Sequence, residues 1–257
     1  MGELDGRIAL VTGASRGIGA ATARALAEAG ARVIATDLVP PDALAAEIGG
    51  HACRQDVTDE EDWIATMRLA RGTAGGLDIL VNNAGLLLMK PVTEISLDEW
   101  RRLHAVNVEG VFLGAKHAVP LLVERAGRWK GGTTIINLSS VAGITGSPGF
   151  SCYNASKGAV RLFSKGLALE LAPLGIRVNS VHPGVIDTNM GAAVVQGFAA
   201  ARAVGTNEAQ AQVAGLHPLG HLGSPSDVGD AVVFLASSRA AFITGAELVV
   251  DGGFTAQ

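Results

Sequence analysis

Apolar, β-branched runs alternate along this chain with segments of helical periodicity, and no other feature restricts the fold as much. RIALVTG (7–13), RVIATD (32–37), HACRQDV (51–57), LDILVNNAG (77–85), GGTTIINLSS (131–140) and IRVNSVHPG (176–184) read as strands, with a last one in FITGAELVVDGG (242–253). Helices are expected over 17–31, after Pro41, over 58–72, across the long segment 96–126, and from the SCYNASKGAV stretch at 151 to about Leu171. Thr58 followed by Glu61 predicts a capping box at the third of these. Strands buried on both faces, each followed by a helix, fold as a parallel sheet covered on both sides. No linker interrupts the 257 residues, so the reading is one α/β domain over 1–257, with 188–223 left ambiguous.

Composition removes several classes of function. The net charge of −4 offers no bulk attraction to nucleic acid or an anionic membrane. The basic cluster RAGRWKGG (125–132) reads as a solvated loop. No uninterrupted apolar run reaches membrane-spanning length, and MGELDGRIAL lacks the apolar core of a signal peptide. Two cysteines, Cys53 and Cys152, have no metal-ligand spacing and fit a reduced, cytoplasmic setting, with no metal expected. Cys152 reads as a small buried hydrophobe.

The stretch VTGASRGIGA (11–20) joins the first strand to the first helix with glycines at 13, 17 and 19. Glycine permits the sharp turn and lets a pyrophosphate approach the backbone, where free N–H groups at the helix start face the anion. Packing alone is the bland alternative. Asp37, ending the second strand, is placed to accept hydrogen bonds from both hydroxyls of an adenosine ribose, and its charge would repel a 2′-phosphate. That favours NAD over NADP. Arg16 points the other way, since a guanidinium in the glycine loop can grip that phosphate. QDV (55–57) closes the third strand where adenine would lie, with Asp56 facing the amino group and Val57 beside it.

Tyr153 and Lys157 stand one helical turn apart, and Tyr153 is the only tyrosine in the chain. A solvated surface pair is one reading. The other is an acid–base pair: a free phenol with pKa ~10 is a poor base at neutral pH, and lowering it by roughly three units takes about 4 kcal/mol of phenolate stabilisation. A neighbouring ammonium, with help from a positively charged nicotinamide, can supply such stabilisation in a partly desolvated cleft. The expectation is therefore that Lys157 and the bound cofactor together depress the phenol.

Taken in order, TGASRGIG (12–19), NNAG (82–85), Asn107 in AVNVEG, Ser140 in INLSS, YNASK (153–157), RVNSVHPG (177–184) and VDGG (250–253) resemble the short-chain dehydrogenase/reductase family over nearly the whole chain. GAVRLFSK, RVNSVHPGVIDT and TGAELVVDGG resemble members acting on cyclic secondary alcohols or hydroxysteroids. The resemblance implies a Rossmann-type seven-stranded parallel sheet, a nicotinamide cofactor and a homotetramer. It implies Tyr153 as general acid/base, Lys157 on the nicotinamide ribose, Ser140 on the reacting oxygen and Asn107 steadying a water in a proton relay. Gly13, Ser15, Arg16, Gly17, Ile18, Gly19, Asp37, Leu38, Asp56 and Val57 would hold the adenosine and phosphates. Asn83, Ala84 and Gly85 would line the adenosine and nicotinamide ribose. Pro183, Gly184, Ile186 and Thr188 would cradle the nicotinamide. Ser139 competes with Ser140, but strand alternation points the two apart. His182, His217 and His221 read as core-satisfied or solvated.

In the family, the segment 188–223 covers the substrate, and its alanine- and glycine-rich, weakly charged composition suits a water-excluding lid. Met190, Val194, Val195 and Phe198 are candidates for an apolar pocket, with helix packing as the alternative, and Ile144 is a candidate contact on the opposite wall. Neither wall clusters charge, so a neutral, hydrophobic alcohol or ketone is expected. Two rivals stay open: an NADPH-dependent 3-ketoacyl-type reductase, prompted by Arg16, and a non-catalytic dinucleotide-binding protein.

Overall fold

The computed structural model describes residues 2–257. Seven strands, β1 (Ile8–Thr12), β2 (Arg32–Asp37), β3 (His51–Arg54), β4 (Ile79–Asn82), β5 (Thr133–Leu138), β6 (Ile176–Pro183) and β7 (Glu247–Val250), form one sheet in the order 3-2-1-4-5-6-7, and every pairing is parallel. Strand order reverses between β1 and β4, which opens a crevice at their carboxyl ends, where ligands bind in sheets of this kind.

The helices are α1 (Gly17–Glu28), α2 (Asp42–Ile48), α3 (Glu60–Leu69), α4 (Leu97–His104), α5 (Gly110–Ala126), α6 (Ser151–Leu171), α7 (Asn189–Arg202), α8 (Thr206–Gly215) and α9 (Pro225–Ala236). Alternate strand residues feed two cores, as a period of two requires. Ala9 and Val11 face Ala23 and Leu26 of α1 and Val228 and Val232 of α9. Ile8 and Leu10 face the layer holding Trp63 of α3, Leu121 and Leu122 of α5 and Leu171 of α6.

Several local expectations are corrected. Helix α3 is capped by Asp59, whose carboxylate accepts from Glu61 N at 2.9 Å, while the Thr58 hydroxyl points back and donates to Asp56 at 2.7 Å. Arg125 is not solvated: it lies buried at the end of α5 and grips Asp78 through Nε and Nη2, both at 2.8 Å, while the Trp129 indole donates to the same carboxylate at 2.6 Å. The strand at 51–57 stops at Arg54. Helices α4 and α5 run together through a π-helical turn, Ala105–Glu109, as one helix, Leu97–Ala126, which is long and apolar enough by composition to cross a bilayer. Ala115, Ala118, Leu121 and Leu122 place it instead against the sheet as a core helix. Helix α9 was not anticipated, although Ser224, Pro225 at the first helical position and Asp227 form a capping box there.

Candidate active site

The turn after β1 is stitched to the end of β4. Asn83 Nδ2 donates to the carbonyls of Thr12 (2.8 Å) and Gly13 (3.1 Å), while Thr12 Oγ1 accepts from the amides of Asn83 (3.0 Å) and Ala84 (3.1 Å). Gly13 has φ +65°, and a Cβ there would stand 2.8 Å from Ala84 Cα, while a Cβ on Gly19 would strike the Gly13 carbonyl. Asn83 thus spends its side-chain amide on holding the turn. Helix α1 has no side-chain cap and no acid in its first turn, so its leading N–H groups are open to an anion. Ile18 packs on the core behind them.

Asp37 closes this cradle. Its two oxygens accept from Ser15 N (3.0 Å) and Leu38 N (2.8 Å), which fixes the carboxylate at the rim and leaves each oxygen a lone pair for a hydroxyl. Arg16 is exposed beside it and makes no ion pair among the described residues. One oxygen of Asp56 is occupied by the Thr58 amide (2.9 Å) and hydroxyl (2.7 Å). Val57 is buried, and its carbonyl accepts from the Trp63 indole at 2.9 Å. Glycines that a side chain would fill, open amides and a fixed carboxylate at the sheet's reversal fit an adenine dinucleotide.

Tyr153 and Lys157 rise from the first turns of α6 and are 7% and 5% exposed. Lys157 Nζ lies 5.8 Å from the phenol ring centroid and donates to the Leu138 carbonyl at 2.8 Å. Ser139 turns inward to the Lys157 carbonyl at 2.9 Å, whereas Ser140 faces the phenol and accepts from Ala142 N at 3.1 Å. In the cofactor-free chain the phenol is raised, not lowered. Burial pushes Tyr153 up to about 12, opposed by the Ser140 hydroxyl, and burial draws Lys157 down to about 8. Desolvation outweighs the charge of an ammonium that is turned toward a carbonyl.

Asn107 sits fully buried in the π turn, a distortion frequent at functional sites. Its Nδ2 donates to Leu86 O (3.0 Å) and Ser156 Oγ (3.1 Å), and its Oδ1 accepts from Leu86 N (2.8 Å). Both amide hydrogens are therefore used, so its side chain has only acceptor capacity left for a water. Gly85 lies beside it, where an added Cβ would stand 3.5 Å from both Asn107 Oδ1 and Lys157 Nζ.

Pro183 ends β6, and Gly184 N donates to Val250 O at 3.0 Å. Buried His182 is satisfied by Ser180 Oγ (2.8 Å) and the Ser140 carbonyl (3.1 Å). His217 donates Nδ1–H to Val213 O (3.0 Å) and accepts the Val185 amide at Nε2 (3.1 Å), so it supports the loop after β6. A cleft of about 520 Å³ opens there between Gly184–Ile186, Pro218 and Asp251–Gly253. Leu219 N reaches Gly252 O across it at 3.1 Å. Ile186 is buried in the core, so only its backbone is available to a ligand, and Thr188 Oγ1 accepts from Gly191 N (3.1 Å) as the cap of α7. The Thr188 methyl stands 3.2 Å from where a Cβ on Gly17 would lie, so the 188–223 segment starts directly over the glycine turn.

Around the phenol, Leu86, Leu87, Leu88, Ile95, Leu103 and Phe150 form an apolar cluster together with buried Cys152. The LLLMK run (86–90), whose leucines pack around the phenol, has as its only sequence signal an apolar run directly after NNAG that belongs to no predicted element. Ile144 is half-buried in the turn before α6, and Met190 is 39% exposed on the lid. Val195 packs inside the lid's own core with Val213 of α8, and Phe198 packs against it while carrying the Arg202 guanidinium at 4.6 Å. Those two stabilise the lid, as the helix-packing alternative holds.

A family model described as Enoyl-(Acyl carrier protein) reductase matches residues 13–255. The cyclopentanol dehydrogenase of Comamonas sp. is 42% identical over 264 residues, covering 100% of both chains. A 3-alpha-(or 20-beta)-hydroxysteroid dehydrogenase of Mycobacterium tuberculosis is 41% identical, covering 99% of this chain and 92% of that one. The NADP-dependent (R)-specific alcohol dehydrogenase of Lentilactobacillus kefiri is 38% identical over 99% of both.

Proposed function

Because this chain belongs to the short-chain dehydrogenase/reductase family, we propose that it interconverts neutral, hydrophobic secondary alcohols and ketones, alicyclic ones foremost, with NAD(H). The observation that carries this reading is Tyr153, buried in an apolar cluster, facing Ser140, with Lys157 one turn along the same helix. The relatives' cyclopentanol and hydroxysteroid activities agree with it. The nearest cation on the wall, Lys90, is paired with Glu99, so it offers no free charge to a carboxylate or phosphate.

A bound oxidised nicotinamide supplies the hydride acceptor and a positive charge. Tyr153 takes the hydroxyl proton as the alcohol is oxidised and returns it to the ketone oxygen in the reverse direction. Ser140 donates to that oxygen as charge develops on it. Burial holds Tyr153 as a neutral phenol in the ligand-free chain, the form that donates to a ketone. Oxidation requires the phenolate, so positive charge must arrive with the ligand before the phenol becomes a base. Lys157 then has two tasks: donating to ribose hydroxyls and adding its own charge. Gly13, Gly17, Gly19 and the open start of α1 take the pyrophosphate, and Gly184 with the Ile186 backbone flanks the nicotinamide.

Asp37 supports NAD over NADP, since two backbone amides hold its carboxylate where a 2′-phosphate would sit. Unpaired Arg16 and the NADP-dependent relative support the second reading, an NADPH-linked reductase. The remaining parts of the proposal are a single catalytic domain with 188–223 as its substrate cover, a cytoplasmic setting and a homotetramer. The tetramer would cover exposed Leu162, Leu169 and Phe242.

The test is a panel of secondary alcohols and ketones with NAD(H) and NADP(H), read as nicotinamide absorbance beside Tyr153→Phe. Cyclopentanol oxidation with NAD is expected, and the variant should lose turnover by at least about a hundredfold while still binding NADH. Absence of turnover on the whole panel refutes the reading, and a preference for NADPH refutes the Asp37 argument.

A further inference from the structure

We propose that Met89, seated in a notch that Gly197 leaves in the lid helix, is the size gate of the alcohol pocket and biases it toward compact single-ring alcohols over fused polycyclic ones. This rests on the dehydrogenase reading above.

The wall that carries Met89 is pinned at both ends. Asn107 binds Leu86 through both its backbone N–H (2.8 Å) and its carbonyl (3.0 Å). At the far end Lys90 N donates to Gly149 O at 2.9 Å, just before the helix that bears Tyr153. Between these anchors Leu86, Leu87 and Leu88 pack in the cluster around the phenol. The backbone at Met89 therefore has little room to swing, and the side chain reaches across to the lid.

On α7, residues 190, 194 and 197 share one helical face, while Val195 and Ala199 face α8. A Cβ on Gly197 would fall on the Met89 methyl carbon and lie 3.1 Å from its sulfur. A glycine inside a helix is less favourable than alanine, and the thioether seated against it is the contact that requires its absence of side chain. Val195 and Ala199 pack against Ala209 and Val213, which joins α7 to α8 as one unit facing Met89. Wall and roof thus meet at one flexible, unbranched side chain, which fills the gap that a larger ring system would need.

The experiment compares wild type, Met89→Ala and Gly197→Ala with NAD and two alcohols, cyclopentanol and a 20β-hydroxysteroid. In Met89→Ala the ratio of kcat/KM for the steroid to that for cyclopentanol is expected to rise about tenfold or more, the scale on which apolar pockets discriminate by a few methylene groups. Gly197→Ala is expected to speed hydrogen–deuterium exchange of the α7 amides, a readout that does not depend on turnover. A Met89→Ala ratio within twofold of wild type, or unchanged α7 exchange in Gly197→Ala, overturns the gate and leaves the dehydrogenase reading standing. A wild type that oxidises neither alcohol overturns both.

Discussion

Replacing Lys157 with methionine should make this protein more stable while disabling it. Burial draws the ammonium from an ordinary 10.5 to about 8. At pH 7 the folded state therefore carries a charged lysine that costs about 3 kcal/mol relative to the unfolded chain. Methionine removes that cost and leaves the Leu138 carbonyl without its 2.8 Å donor, a loss of about 1 kcal/mol. The net expectation is a gain of about 2 kcal/mol at pH 7. The sign of the pH dependence follows from proton counts. Between about pH 8 and 10.5 the unfolded chain holds a proton on Lys157 that the folded chain has released, so stability rises with pH. Tyr153, pushed up to about 12, acts in the opposite sense, but only above about pH 10, where the unfolded phenol ionises first. Urea unfolding of the cofactor-free protein, followed by tryptophan fluorescence at pH 7 and 9.5, separates the two. Wild type should gain about 2 kcal/mol across that window, and Lys157→Met should lack this gain. A variant less stable than wild type at pH 7, with the same pH slope, would refute the buried-charge argument.

Two further substitutions test the site's supports. Asp37→Ala should move the kcat/KM ratio for NADP over NAD upward by about tenfold or more, and an unchanged ratio would show that the carboxylate does not face the ribose. Asn107→Ala removes two hydrogen bonds from the Leu86 strap and one from Ser156 and should cost about 3 kcal/mol, read as a fall in Tm of several degrees, whereas an unshifted Tm would mean the strap is held elsewhere.

The sheet was legible because strand-like, β-branched segments alternate with helical ones, so the parallel α/β architecture followed from pattern. The Tyr153–Lys157 spacing and Asp37 at a strand end could be singled out from the residues, whereas Ser140 and Asn107 stood out only through the family resemblance. What escaped is set by tertiary contact. The Thr58 case is local instead: its hydroxyl turns back to Asp56 two residues earlier, and the cap falls to Asp59. The sign of the Tyr153 shift depends on how deeply α6 is buried and on the orientation of Lys157 toward Leu138, neither of which is encoded in a four-residue spacing. Arg125 looked like part of a basic surface cluster because its acid, Asp78, stands 47 positions away. The lid's division into a cleft face and a packing face became visible only once α8 lay against α7.

The bonds from Gly184 N to Val250 O and from Leu219 N to Gly252 O fasten the rear of the cleft to the chain's seventh strand. The loop that follows β6 is thus held from two places, by His217 and by residues 247–253, so a fusion or deletion that disturbs the chain's last strand would reach the candidate site from the far side of the sequence.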